Sequence, residues 1–160
     1  MRYWGILILT GACFAQAPYD HLGAVGVSYQ PGGTAAGTGM YSQRLAASSG
    51  AYAFTVADAV PQLKNKPYTV NNSFSAGIAQ KLVTLKVGKL AVPLFIPTSA
   101  GISYSGASTG WAWSTGGMAV VPLGKSTAWY LLPVVRVIKS SVNNNAGYGA
   151  VAGVLIGWGW

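Results

Sequence analysis

The sequence predicts an all-β fold of eight antiparallel strands, running up and down and closed into a transmembrane barrel behind a signal peptide. Three observations carry that reading. Apolar residues recur at every second position along most of the chain, the period of a strand with one apolar face. Charged residues make up 8% of the chain and apolar ones 51%, whereas soluble domains average about 25% charged. The 22 glycines oppose long helices, since each costs about 1 kcal/mol relative to alanine inside one. With 160 residues, a single domain is expected.

The stretch MRYWGILILTGACFAQAPYD has the three parts of a secretory signal: Arg2, an apolar run from Tyr3 to Leu9 continuing to Phe14, and small residues at Ala15 and Ala17. Cleavage after Ala15 is expected, because cleavage after Ala17 would leave Pro18 first. The chain is therefore divided into a signal peptide, residues 1–15, and a barrel domain, residues 16–160. The apolar run is shorter than the roughly 20 residues a spanning helix needs. An uncleaved anchor is one alternative, and a lipoprotein signal ending at Cys13 is another, poorly matched by Thr10-Gly11-Ala12. Cys13 is the only cysteine, so the mature chain forms no disulfide.

Eight apolar stripes follow. Val25, Val27 and Tyr29 form the first; Tyr41 and Leu45, with Gln43 between them, form a weaker second; Tyr52, Phe54 and Val56 form the third. The fourth carries Phe74, Ala76 and Ile78, then Val83, Leu85 and Val87, so its parity flips near Gln80 to Leu82. A one-residue bulge there restores the facing, since a single slip otherwise turns every side chain over. The fifth runs from Leu90 through Val92, Leu94, Ile96, Thr98, Ala100 and Ile102 to Tyr104. From Leu90 to Gly124 there is no charge, but Pro93, Pro97 and Pro122 rule out a continuous helix. The sixth stripe holds Trp111, Trp113, Thr115, Ala119 and Val121, and the seventh Trp129, Leu131, Pro133, Val135 and Val137. The last holds Tyr148, Ala150, Ala152, Val154, Ile156, Trp158 and Trp160.

The connections read as alternately longer and shorter: QPGGTAAGTG, SSG, DAVPQLKNKP, Gly88-Lys89, SGASTG, PLGKS and KSSVNNNAG. Gly88-Lys89 is a two-residue hairpin loop that pairs Val87 with Leu90 on one face. That pairing agrees with faces assigned from periodicity alone.

In hydrocarbon every backbone polar group needs a partner within the protein, so a sheet spans only if it closes. Its outward face must also be uncharged across the apolar band, where Lys or Arg costs about 2 to 4 kcal/mol. None of the eight stripes contains a charge between its first and last members; Asp58 and Lys139 continue two of them at the loop ends. Aromatic girdles are expected from Tyr29, Tyr41, Tyr104, Trp111, Trp113 and Tyr148 at the outer rim, and from Tyr52, Trp129, Trp158 and Trp160 at the inner one. The competing fold is a soluble β-sandwich, which needs more charge on its exposed faces.

The closing strand, with Tyr148, Val154, Ile156, Trp158 and Trp160 on alternate positions, resembles the carboxy-terminal targeting strand of bacterial outer-membrane proteins. Trp where Phe is commoner is a departure from that pattern. The resemblance implies that barrel-assembly machinery and periplasmic chaperones are partners. The mature chain as a whole resembles the small eight-stranded barrels of the OmpA-transmembrane and OmpX class. What this implies is Sec export, a bacterial outer-membrane location, both chain ends on the periplasmic side, and no catalytic residues. A monomer is expected.

The chemistry available is limited. His21 is the only histidine, beside Asp20 in a lead-in expected to be solvated, and Glu is absent. A hydrolase therefore lacks a strand-borne general base, and without mature cysteines no metal cluster is expected. No cofactor is expected either. The ten Lys and Arg against two Asp give a formal net charge of +8, but without a basic cluster or tail nucleic acid is not the expected partner. Membrane lipid is. Gly147, Gly149, Gly153, Gly157 and Gly159 line the inward face of the last strand, leaving room for larger inward residues opposite: Phe95, Tyr130, Arg44 and Arg136. Arg44, Lys86 and Arg136 have inward parity with no strand-borne carboxylate to pair them, so they are expected in a hydrated lumen or at its mouths. Lys64, Lys66 and Lys139 are placed in outer loops, within reach of lipopolysaccharide phosphates. The leading functional expectation is a non-enzymatic envelope barrel with a structural or surface-binding role. A narrow anion-preferring pore comes second and a lipid-modifying barrel enzyme third.

Overall fold

Alternating apolar side chains and scarce charge produce strands and no helix among the residues that the computed structural model describes: 19–30, 34–46, 50–62, 69–106, 108–124, 128–142 and 145–160. The expected signal peptide, Lys64 and Lys66 lie outside that set. The elements are β1 (His21–Gln30), β2 (Thr34–Arg44), β3 (Ala51–Gln62), β4 (Thr69–Val87), β5 (Leu90–Ser105), β6 (Ser108–Ala119), β7 (Val121–Pro122), β8 (Trp129–Val142) and β9 (Asn145–Gly159). They form one sheet in the order β6-β5-β4-β3-β2-β1-β9-β8-β7, every pair antiparallel, and β6 pairs with β8 to close the ring. β6 and β7 lie end to end, interrupted at Val120, whose N–H donates to the Pro93 carbonyl at 3.1 Å. Together they make one stave, and the barrel has eight. Among the described residues the ring itself leaves no open seam, which is the condition for spanning hydrocarbon; only the end of the β4–β5 hairpin extends past it.

The irregularities fall where side-chain chemistry puts them. The β4–β5 ladder shifts by one residue between Lys81 and Val83, the bulge required by the parity flip. Gly88, at φ +61°, turns the chain so that Val87 pairs with Leu90. The β5–β6 ladder skips Ile96 and Pro97, where proline has no N–H to donate. Elsewhere the walls approach so closely that only glycine fits inward. A Cβ on Gly77 would collide with the Thr98 carbonyl, and one on Gly116 with the Val135 carbonyl. Such kinks supply the curvature that a small barrel needs.

The exterior carries Val25, Val27, Phe74, Ile78, Ile102, Val135, Val137, Val154 and Ile156, all exposed. Aromatic girdles ring both ends. The end holding Tyr19 and Trp160, here the proximal end, has Tyr41, Trp129, Trp158 and Trp160; the distal end has Tyr29, Tyr104 and Trp111. Tyr41 therefore belongs to the opposite girdle from the one expected, because β2 extends down to Arg44 and brings it beside Gly23.

The third stripe is the main correction. Tyr52, Phe54 and Val56 point into the barrel, each about 5% exposed or less; the outward face of β3 is Ala57, Ala59 and Thr55. Register enforces this, since outward Tyr41 pairs with Thr55 and outward Phe74 with Ala57. The small outward residues leave a shallow exterior trough of about 500 Å³ over Gly39 and Ala57, walled by Tyr41, Phe74 and Trp158. The connections also differ from the expected alternation. Strands extend into the glycine-rich segments, so distal connections shrink to residues 31–33, 63–68, 106–107 and 143–144, no longer than the proximal ones at 45–50, 88–89 and 123–128.

Candidate functional site in the barrel interior

The interior is built in two halves. At the proximal end the lead-in folds back under the barrel, and Tyr19 is buried against Tyr130 (ring centroids 5.0 Å apart, edge to face) and Tyr52 (5.8 Å). Tyr52 continues the cluster to Phe95 at 5.5 Å. Leu22, Leu132 and Leu155 are fully buried around them. The glycines of β9 make the space: a Cβ on Gly159 would lie 2.8 Å from Tyr19 Cβ, and one on Gly157 would lie 2.9 Å from Leu132 Cδ1. The void left among Tyr52, Phe54, Phe95 and Met118 is about 10 Å³, room for about one water. Burial pushes the Tyr19 phenol above its ordinary range, with Tyr52 and Tyr130 adding to the effect and Arg44 opposing it.

Arg44 ends β2 and caps this plug. Its Nη2 donates to the Tyr19 carbonyl at 3.0 Å and its Nε to the Tyr52 hydroxyl at 3.3 Å, while Nη1 lies 3.2 Å from Asp20. The guanidinium ties the lead-in to the wall.

The distal half is polar. Asp58 on β3, 8% exposed, accepts from Arg136 Nη2 on β8 at 2.8 Å, from Thr38 Oγ1 at 2.7 Å and from Ser73 Oγ at 3.5 Å. Because Thr38 gives its proton to Asp58, the 3.0 Å contact between Ser28 and Thr38 is donated by Ser28. A second hydroxyl chain links Ser75, Ser99 and Ser114 at 3.1 and 2.9 Å. In the ring, β3 and β8 are four staves apart in either direction, so the ion pair spans the full diameter. Arg136 Nε and Asn71 Oδ1 are buried without a hydrogen-bond partner. An orphaned buried group costs about 1–3 kcal/mol unless water reaches it, so this is the half where water is expected.

The expectation that no strand-borne carboxylate could pair the inward arginines is thus overturned. Asp58 lies inside and not at a watery loop end, because the Tyr52, Phe54 and Val56 face of β3, which it continues, points into the barrel. Lys86 lies exposed on the β4–β5 hairpin at the proximal end. Lys139 is on the exterior at the distal rim, its Nζ 5.7 Å from the centroid of the Trp111 ring. On β9, Val154, Ile156, Trp158 and Trp160 face outward; Tyr148 lies in the strand opposite Lys139. His21 is a strand residue and not part of the lead-in. It begins β1, its Nδ1 lies 2.8 Å from the Tyr41 hydroxyl, and its ring stacks on Trp160 at 5.7 Å. Among the described residues, no three His, Cys, Asp or Glu side chains are placed to hold a metal ion.

A closed ring, an apolar exterior with two aromatic girdles and a filled interior define the class: a small eight-stranded transmembrane β-barrel of the outer-membrane type. No family model and no curated protein matches the chain. Among solved structures it is similar to a de novo designed transmembrane β-barrel (15% identity, TM-score 0.48, covering 89% of this chain and 98% of that one). It is also similar to Ail, the attachment invasion locus protein of Yersinia pestis (11%, 0.43, 87% and 93%), and to Neisserial surface protein A (11%, 0.48, 88% and 94%). The fold itself rests on the closed ladder and the apolar exterior.

Proposed function

We propose that this chain is a non-enzymatic integral protein of a bacterial outer membrane, with an envelope-structural or surface-binding role and a lumen that does not conduct. The observation supporting this is the filled interior: Tyr19, Tyr52, Tyr130 and Phe95 occupy the proximal half, and the Arg136–Asp58 pair crosses the distal half. An anion-preferring pore needs a continuous water path with cations free to attract the ion. Here both lumen arginines already hold a carboxylate. A lipid-modifying enzyme needs its histidine beside a nucleophile or an acid, and His21 Nδ1 instead meets the Tyr41 hydroxyl. Lys139, beside Trp111 at the distal interface, is the described residue best placed for a lipopolysaccharide phosphate, with Lys64 and Lys66 in the same proposed role. The outward stripe of β9 is the proposed contact for assembly machinery and periplasmic chaperones. Single-channel recording in planar bilayers tests the central point. Folded protein is expected to give no steady current; sustained anion-selective openings would displace this reading in favour of the pore.

A further inference from the structure

β4 has 19 residues, whereas β3 has 12. Pairing of β3 with β4 ends at Ala51 with Gln80, followed by a last bond from Lys81 N to Gly50 O. On the other side, pairing of β5 with β6 ends at Leu94 with Ala119, and Val120 donates to Pro93. Beyond these points Leu82–Val87 and Leu90–Val92 pair only with each other among the described residues. Six residues of strand reach about 20 Å, so the hairpin extends past the proximal end of β3, with its β5 arm flanked by β7.

The hairpin is amphipathic. Its outward parity continues the lipid-facing stripe of Phe74, Ala76 and Ile78 into Leu85 and Val87, and the bulge residue Leu82 is exposed with them (66%, 42% and 60% for Leu82, Leu85 and Val87). Lys86 takes the opposite parity and Lys89 the turn, both exposed. A two-stranded hairpin that exposes Leu82, Leu85 and Val87 is marginal in water, even with Val92 on its β5 arm buried. Its lysines also have no side-chain carboxylate left to pair with. The 160 residues contain two Asp and no Glu, and both are held by arginines, Asp20 by Arg44 at 3.2 Å and Asp58 by Arg136 at 2.8 Å.

We infer that the β4–β5 hairpin is a binding element for anionic phospholipid in the leaflet at the proximal end. Leu82, Leu85 and Val87 enter the acyl boundary, and Lys86 and Lys89 meet headgroup phosphates. The geometry is that of long cationic side chains reaching the interface from an apolar body. Charge selects this occupant: an apolar partner leaves the lysines unmatched, and a polar one leaves the leucines wet. The inference rests on the membrane-embedded barrel.

The test places a nitroxide at Val87→Cys in a Cys13→Ser chain, an apolar label for an apolar side chain. The protein is reconstituted in phosphatidylcholine vesicles with and without phosphatidylglycerol. With anionic lipid, the label is expected to be accessible to oxygen and shielded from a water-soluble nickel chelate; without it, the reverse. Adding Lys86→Gln and Lys89→Gln should lower the ratio of immersed to aqueous label roughly thirtyfold, about fivefold per lysine. Raising salt on the unsubstituted pair should act in the same direction without any change to the chain. Equal accessibility in the two vesicle types, or insensitivity to both salt and the lysines, would overturn the inference. So would spin coupling between two copies, which would mark self-association. Heat-modifiable migration on a gel is recorded for each variant; its loss would count against the barrel itself, and its retention isolates the result to the hairpin.

Discussion

Asp58 is the residue on which the interior turns. A carboxylate inside the barrel is tolerated because two hydroxyls and a guanidinium converge on it, and an arginine there is tolerated because the carboxylate answers it. Removing one partner from a buried pair costs about 3–5 kcal/mol, while replacing both by apolar groups of similar size is often neutral. Asp58→Leu and Arg136→Met are each expected to lower the unfolding free energy of the refolded barrel, measured with urea in detergent, by about 3 kcal/mol. The double variant Asp58→Leu with Arg136→Met should recover most of that loss. A non-additive cycle is the signature. If the two single losses simply summed in the double variant, the tie across the lumen would have no energetic existence.

At the level of the strand, what was legible was the period, and what was not was its sign. Alternation located all eight staves, the bulge at Lys81/Val83 and the Gly88-Lys89 turn, because each is dictated by local chemistry: two-residue periodicity, parity and a positive φ. The face of β3 was not readable from size. In a wide lumen the larger apolar residues would face lipid, but an eight-stranded barrel must also fill its own inside, so Tyr52, Phe54 and Val56 serve there while alanines face outward. The signal that could have decided it was Asp58, which continues the same stripe. A carboxylate two residues beyond Val56 is better accounted for by an inward face with an arginine opposite than by a lipid-facing one. The interior partners themselves needed the ring, since Asp58 and Arg136 are separated by 78 positions. The glycine face of β9, by contrast, was legible as the space-maker, and it supports a paired prediction. Gly157→Val should cost about 1–3 kcal/mol through overpacking against Leu132 and Leu22. Gly149→Val, where a Cβ meets nothing within 4 Å, should leave the unfolding midpoint close to that of the parent. Equal effects would mean that the proximal half is not close-packed.

The whole molecule is held shut at one seam, where β1 meets β9, and the ends of the described chain are locked there. Asp20 and His21 donate their N–H groups to the Trp160 carbonyl at 3.1 and 2.9 Å, and Trp160 returns one to His21 at 2.9 Å. Around this knot the Trp160, His21 and Tyr41 rings lie within 6.3 Å of one another. Every other adjacent pair of staves is joined by a covalent connection, so only this pair relies on non-covalent contact for its proximity, and loss of the seam reopens two edges at once. The closing aromatic therefore has a role in the finished barrel as well as its proposed role in assembly, and the two can be separated. Trp160→Ala keeps the backbone bonds and removes the stack, so in refolding from urea into detergent, where no assembly machinery exists, the barrel should lose about 1 kcal/mol, the scale of an aromatic pair beyond its area. A barrel as stable as the parent in detergent, but poorly inserted in cells, would assign Trp160 to recognition alone. A measurable loss in detergent, reproduced by His21→Ala and not deepened in the double variant, would place the stack in the closure of the ring.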